Sequence, residues 1–516
     1  MCAWRNKPAT ARAVETSVSE FACGVPCVQP AGDGSVGTSE PYVQHNMKGK
    51  ISVIHQYKSG GYNIVMDINS GSIHVVDDIV YGMIPLVEPL VNEGIKDAAT
   101  IKAAVKSLSH ISCPEEEMDE AVDEVLALES AGQLFSPDIY ENFVKDFKNR
   151  QTVVKALCLH IAHDCNLSCK YCFAGEGEYH GRRALMTPEV GKKALDFLVE
   201  SSGDRVNLEV DFFGGEPLMN WQTVKELVAY GRSLEKHHNK KFRFTLTTNG
   251  VLLDDEILEF ANKEMANIVL SIDGRKSVHD KMRPFCGGQG SYDLIVPKFK
   301  KVAESRGQEK YYVRGTYTRN NLDFSQDVLH LADLGFKQIS VEPVVARLSD
   351  DYAITEADLD VLKAEYDRLA AEMIKRKNQG KGFNFFHFMI DLSSGPCVVK
   401  RLSGCGSGTE YLAVTPWGDL YPCHQFVGNE KFLMGNVEEG ILRKDIQEEF
   451  KCCNVYAKDK CKKCFAKFYC SGGCAANAYN FHGNLSDSYD VGCELERKRV
   501  ECAILLKVAE QHEKIF

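Results

Sequence analysis

Between Val153 and Ala346 the chain alternates short apolar runs with amphipathic stretches, and this alternation limits the fold more than any other feature. The runs VVKALCLHIAH, NLEVDFFGG, FRFTLTTNG, NIVLSIDG, YYVRGTYT and FKQISVEPV have the composition of strands. Helical spacing lies between most of them, around Pro188–Glu200, Trp221–His238, Asp254–Lys263 and Phe324–Leu334. Parallel neighbours cannot be joined by a hairpin, so strands that alternate with helices build a parallel sheet. The expectation is an α/β fold, a six-stranded parallel sheet or open barrel, with its ligand beyond the carboxyl ends of the strands.

The first of these strands runs into HDCNLSCKYCF, which carries Cys165, Cys169 and Cys172. Three thiolates can hold three corners of a four-iron, four-sulfur cube and leave one iron free for an outside ligand. Zinc with three cysteines and a water satisfies the same count. The chain has 20 cysteines, no secretory signal pattern and no apolar run near the roughly 20 residues of a membrane span. A cytoplasmic protein with no membrane partner is expected, and there thiols stay reduced and are available to metal. The net charge of -11, with basic residues interspersed among acidic ones, gives no footprint for nucleic acid.

A length of 516 residues implies several domains. Residues 1–46 are polar and without period, and read as a disordered tail or a misassigned start. Residues 51–140 read as a small domain of three strands, turning at Ser59-Gly60-Gly61 and Asn69-Ser70-Gly71, followed by helices including Glu115–Ser130. Residues 153–346 form the α/β domain, and 347–396, with the charged helix Glu356–Lys377, a helical linker or lid. From 397 to 516 cysteines accumulate while apolar periodicity fades, so this domain is expected to be organised around metal.

The spacing in CNLSCKYC resembles the radical S-adenosylmethionine (SAM) signature. Gly214-Gly215-Glu216-Pro217, Thr247-Thr248-Asn249-Gly250 and Ser271-Ile272-Asp273-Gly274 follow in the order of that superfamily's later motifs. The resemblance implies a partial (β/α)6 barrel. It also implies that Cys165, Cys169 and Cys172 hold a [4Fe-4S] cluster whose free iron binds S-adenosylmethionine and cleaves it to a 5′-deoxyadenosyl radical. Gly214, Gly215 and Glu216 are expected at the methionyl end of the cofactor, with Glu216 accepting from its ammonium. Asn249 and Ser271 reach the ribose or carboxylate, or cap the following helices. Asp273 belongs to the same cofactor set, and Tyr171 shields cluster or adenine, or packs on the loop. Arg314 interrupts an apolar strand, where an unpaired charge is expensive; it pairs with the cofactor carboxylate, an acidic partner, or Glu342.

Cys405, Gly418, Cys423, Cys461-x2-Cys464-x5-Cys470-x3-Cys474 and Cys493 resemble the SPASM domain of peptide-modifying radical enzymes. That likeness implies two auxiliary [4Fe-4S] clusters. Cys461, Cys464, Cys470 and Cys493 would ligate one; Cys405, Cys423 and Cys474 would hold the other, with Cys397 or a substrate thiol as its fourth ligand. Structural zinc is the alternative for the spacing alone. The adjacent pair Cys452-Cys453 is left outside both sets.

From about Ile51 to Cys493 the sequence is similar to maturases of six-cysteine (SCIFF, ranthipeptide) ribosomal peptides. The resemblance implies thioether formation between a cysteine sulfur and a residue carbon. Residues 51–140 would be a winged-helix-like peptide-recognition domain that captures the leader of a Cys-rich precursor by strand addition. A low-potential donor such as ferredoxin or flavodoxin would supply electrons. The alternatives are a sulfatase maturase making formylglycine, and a non-catalytic metal-binding interaction protein.

Overall fold

The computed structural model describes residues 52–108, 111, 113–144, 147–175, 177–179, 181–392 and 398–512. The amino-terminal tail and Cys397 lie outside the described residues. The chain falls into two compact units, one built mainly by residues up to Asp138 and one by Ile139–Ile390 with Val399–Leu506.

In the first unit β1 (Ile54–Ser59), β2 (Tyr62–Asp67) and β3 (Ile73–Val76) form an antiparallel sheet in sequence order. Gly60 and Gly61 make the first turn at positive φ, as that tight connection requires. The fully buried Asp67 carboxylate accepts from the N–H groups of Asn69, Ser70 and Ser136, tying the second turn to the segment that follows the helices. Three helices follow: α1 (Asp78–Asn92), α2 (Ala98–Leu108) and α3 (Glu115–Ser130). Asp77 caps α1 by accepting from Val80 N at 2.9 Å. Val65, Met83, Val87, Ile101, Val105, Val122 and Val125 close one core, each such side chain contributing about 1.5–3 kcal/mol.

The second unit carries a twelve-stranded sheet. Its strands are β4 (Ala156–His163), β5 (Ala184–Leu185), β6 (Asn207–Gly214), β7 (Lys241–Thr248), β8 (Met265–Ser271) and β9 (Tyr311–Tyr317). They continue with β10 (Gln338–Pro343), β11 (Asn384–Phe385), β12 (Tyr411–Val414), β13 (Asp419–Tyr421), β14 (Gly435–Asn436) and β15 (Gly440–Ile441). The order is β11-β10-β9-β8-β7-β6-β4-β12-β13-β14-β15, with β5 beside β4. Every pair from β4 through β6 to β10 is parallel, which gives the expected six-stranded α/β core, and β11 adds a short seventh parallel strand.

Period-two alternation sets its faces. Leu208, Val210 and Phe212, then Phe242, Phe244 and Leu246, then Ile268 and Leu270, are buried on one face. The other face carries Glu209, Asp211, Phe213, Thr245, Thr247, Asn267, Ser271, Arg314 and Glu342, none of them fully buried. The sheet curls around this polar face. His424, just beyond β13, feels the charges of Arg314 on β9 and Glu342 on β10 from the far side of the sheet order.

Two features differ from the sequence reading. Helices Lys276–Met282 and Tyr292–Ser305 lie between β8 and β9, the second with Pro297 inside it. The Cys-rich region carries strand pairing that its faded periodicity did not announce: β12 pairs in parallel with β4, Tyr411 beside Ala156 through Val414 beside Leu159. The charged helix Leu359–Asn378 is a packed wall: Leu362, Tyr366 and Leu369 are fully buried, and Arg499 Nε donates to Tyr366 at 2.8 Å.

Candidate functional site

Fully buried β4 delivers the cysteine loop to the carboxyl end of the sheet. The turn after β6 lies directly against it. Gly215 N donates to Ala162 O and Glu216 N to Asp164 O, at 2.8 and 2.9 Å. A Cβ on Gly215 would stand 2.0 Å from Asp164 O, and one on Gly214 2.3 Å from Ala162 O. These glycines are therefore needed for backbone contact with the cysteine loop. Across it Gly177, at φ 96, leaves room where a Cβ would be 3.2 Å from Cys165 Cβ and 2.9 Å from Gly215 Cα.

The loop brings Cys165, Cys169 and Cys172 within one another's fields. Burial pushes the Cys165 thiol up to about 12, and the neighbouring Glu216, Cys169 and Cys172 add to the rise. Cys169 is raised to about 11 by burial, opposed by the positive charge of Arg283. Asn249 Nδ2 lies 3.7 Å from Cys165 Sγ and donates to Asn166 Oδ1 at 2.7 Å. Among the described residues no three His, Cys, Asp or Glu side chains are drawn together as ligands of a single ion. The donor chemistry fits an iron–sulfur cube: three sulfurs on one loop, a glycine-lined approach and a buried cation alongside.

Glu216, 1% exposed, accepts from Leu218 N and Thr248 Oγ1 on one oxygen and from Asn249 N on the other, at 3.0, 2.7 and 2.8 Å. Three of about four lone-pair positions are thus taken by the chain itself, so the carboxylate fastens the turn after β6 to the turn after β7. Asn249 Oδ1 accepts from Val251 N at 3.0 Å, a local turn bond. Ser271 ends β8, in register with Arg314.

Asp273 is fully buried and its carboxyl is raised to about 6 by burial, with Arg283 pulling the other way. It accepts from Tyr171 OH at 2.7 Å and from Thr316 N at 3.1 Å. Tyr171 thus points back into the protein beneath the loop. Arg314 pairs with Glu342 through two parallel bonds of 3.0 Å, the third of the sequence alternatives. Burial, the largest single influence, would raise Glu342, yet Arg314 together with His387 and Arg499 lowers the carboxyl to about 2.

The carboxyl-terminal cysteines separate into two groups. Cys461, Cys464, Cys470 and Cys493 act on one another, with Cys461 raised to about 11 by burial and then by Cys493 and Cys464. Cys423 is raised by burial and then by Cys474 and Cys405. The Cys405 and Cys461 groups both reach Cys453, which also faces Lys458.

Several residues of this chamber were missed in the sequence. Phe173, next to Cys172, lies 5.5 Å from the ring of His424, next to Cys423, and Phe213 lies 5.1 Å from the same imidazole. His160 and His163 hydrogen-bond each other at 2.9 Å against the face of Tyr179. Arg283, in the loop after the helix Lys276–Met282, donates to Tyr171 OH at 2.9 Å. Single aromatics and histidines have no spacing that marks them; only the proximity of Phe173 and His424 in sequence to cysteines gave any signal.

Residues 159–343 match the family model of the Radical SAM superfamily. The radical SAM cyclopropyl synthase TigE of Paramaledivibacter caminithermalis is 21% identical over 390 residues, 70% of this chain and 75% of that protein. A cysteine-type anaerobic sulfatase-maturating enzyme of Clostridium perfringens is 23% identical over 332 residues, 60% of this chain and 85% of that one. A solved structure of native anSMEcpe with bound AdoMet and Cp18Cys peptide superposes with a TM-score of 0.56 at 20% identity, over 70% of this chain and 99% of that one.

Proposed function

Since this chain is a radical SAM enzyme, we propose that it matures a ribosomally made, Cys-rich precursor peptide by joining a cysteine sulfur to a residue carbon as a thioether. The observation that carries this reading is the 5.5 Å contact between Phe173 and His424, which makes Cys172 and Cys423 neighbours of one chamber. A hydrogen-abstracting centre and a thiol-binding centre must face the same stretch of peptide for carbon and sulfur to meet. Loaded with a cluster and AdoMet, the Cys165 loop would supply a radical able to take hydrogen from an unactivated carbon.

The chain's own residues orient and enclose. Glu216 and the glycine turns hold the loop, the rings of Phe173, Phe213 and Tyr179 stand beside it, and the polar sheet face carries Arg314 and Glu342. Cys405, Cys423 and Cys474 would hold an auxiliary cluster with a position for the peptide thiol. Cys461, Cys464, Cys470 and Cys493 would hold a second. The first unit, an antiparallel sheet in the order β1-β2-β3 followed by three helices, is the part of the chain we assign to leader capture. The bound AdoMet and peptide of anSMEcpe support the substrate class. A low-potential donor such as ferredoxin or flavodoxin would complete the redox balance.

Anaerobic reconstitution should yield about twelve irons per chain and reductive cleavage of AdoMet. With a precursor peptide, each crosslink should appear in mass spectra as the loss of two hydrogens. Cys165→Ala, Cys169→Ala and Cys172→Ala should each abolish AdoMet cleavage, and retained cleavage would overturn the assignment. The likeness to sulfatase-maturating enzymes supports a second reading, formylglycine formation. A sulfatase-derived peptide converted in place of a Cys-rich precursor would establish it instead.

A further inference from the structure

The loop after the helix Lys276–Met282 forms a clamp on the cysteine loop. Ser168 N donates to Pro284 O and Lys170 N to Met282 O, both at 2.9 Å, and Leu167 bridges Phe285 in antiparallel fashion. These bonds lie on either side of Cys169 on one loop and of Arg283 on the other. Arg283 is therefore fixed by backbone bonds against the middle cysteine.

Its guanidinium is only partly matched. Nη1 donates to Tyr171 OH at 2.9 Å, and that hydroxyl donates on to Asp273. Nε is buried and finds no acceptor among the described residues. A buried N–H left unmatched costs about 1–3 kcal/mol, so such donors are rare unless a ligand takes them. Asp273 is already engaged by Tyr171 and Thr316. Among the groups whose charge acts on Arg283, Cys169 stands ahead of Tyr171 and Asp273.

We infer that Arg283 is a positioning residue for the Cys165/Cys169/Cys172 centre, its Nε–H directed to the sulfur there and its charge favouring the reduced state. The inference rests on that loop holding the iron–sulfur centre proposed above. Reduction adds one negative charge to a centre already bound by three thiolates. A fixed cation in a low-dielectric site offsets that added charge and raises the potential. Backbone clamping makes the cation part of the loop, and Tyr171 with Asp273 keeps the guanidinium plane from turning away.

The test uses the full chain, reconstituted without air, and the EPR signal that changes when AdoMet is added. Arg283→Gln should load iron as the wild type does and show a midpoint potential displaced to more negative values, with Arg283→Lys lying between the two. An unchanged or less negative potential in a fully loaded Arg283→Gln protein overturns the inference. If Arg283→Gln takes up no cluster, Arg283→Lys decides. Loading with a potential near that of the wild type supports a charge effect, and failure to load shows that the residue only holds the loop together. Wild-type protein without any AdoMet-responsive signal would instead defeat the functional reading itself.

Discussion

At the scale of single residues, Glu216 separates a structural from a cofactor-binding role. Glu216→Ala leaves Thr248 Oγ1 and the N–H groups of Leu218 and Asn249 without their acceptor, so cofactor-free protein should lose about 2–4 kcal/mol in urea unfolding. A residue that served only the cofactor would leave that stability unchanged. Arg314 and Glu342 allow a second measurement. Their side chains are 49% and 34% exposed, so a double-mutant cycle at neutral pH should give only about 1 kcal/mol of coupling. Glu342 titrates lower folded than unfolded, so this coupling is present above pH about 4.5 and fades as the pH falls toward 2. The sequence presented Glu216, Asn249 and Asp273 as site residues because they stand in motifs. It did not show that their side chains are largely engaged with the protein, since hydrogen-bond partners 30 or more positions away leave no local pattern.

At the scale of elements, the close backbone contact between the cysteine loop and the turn after β6 is the joint on which the site depends. Gly215→Ala would drive a Cβ into Asp164 O, an atom that cannot rotate aside. It should cost about 3 kcal/mol and lower iron uptake in proportion to the loop displaced, read from thermal unfolding and iron content. Strand and helix positions from β4 to β10 were legible because period two and period 3.6 alternate there over long runs. The helix Tyr292–Ser305 was not, since Pro297 interrupts its pattern, and the helix Lys276–Met282 is too short to show an apolar stripe. β12 and β13 span four and three residues, below the length at which alternation can be read.

For the whole molecule, buried neutral imidazoles set the response to acid. His279 lies between Asp273 N and Ser291, and burial lowers it to about 3; His387, beside Ser340 and Glu342, is lowered to about 3 by burial and by Arg499. Unfolded histidines take up a proton near pH 6.5, so stability should fall by about 1 kcal/mol per pH unit for each residue as the pH drops from 6.5 toward 3. His279→Gln should flatten that slope in a urea series across pH. The parallel contact of β12 with β4 has a larger consequence. Ladders of backbone bonds join β4, which leads to Cys165, through β12 to β13, which ends just before Cys423, so on the proposed reading the gap between the two thiol nests would work as a built-in gauge. A precursor peptide crosslinked as proposed would have to fold its two reacting positions to fit that gauge, so the choice of partners would lie in the length of the guest's loop.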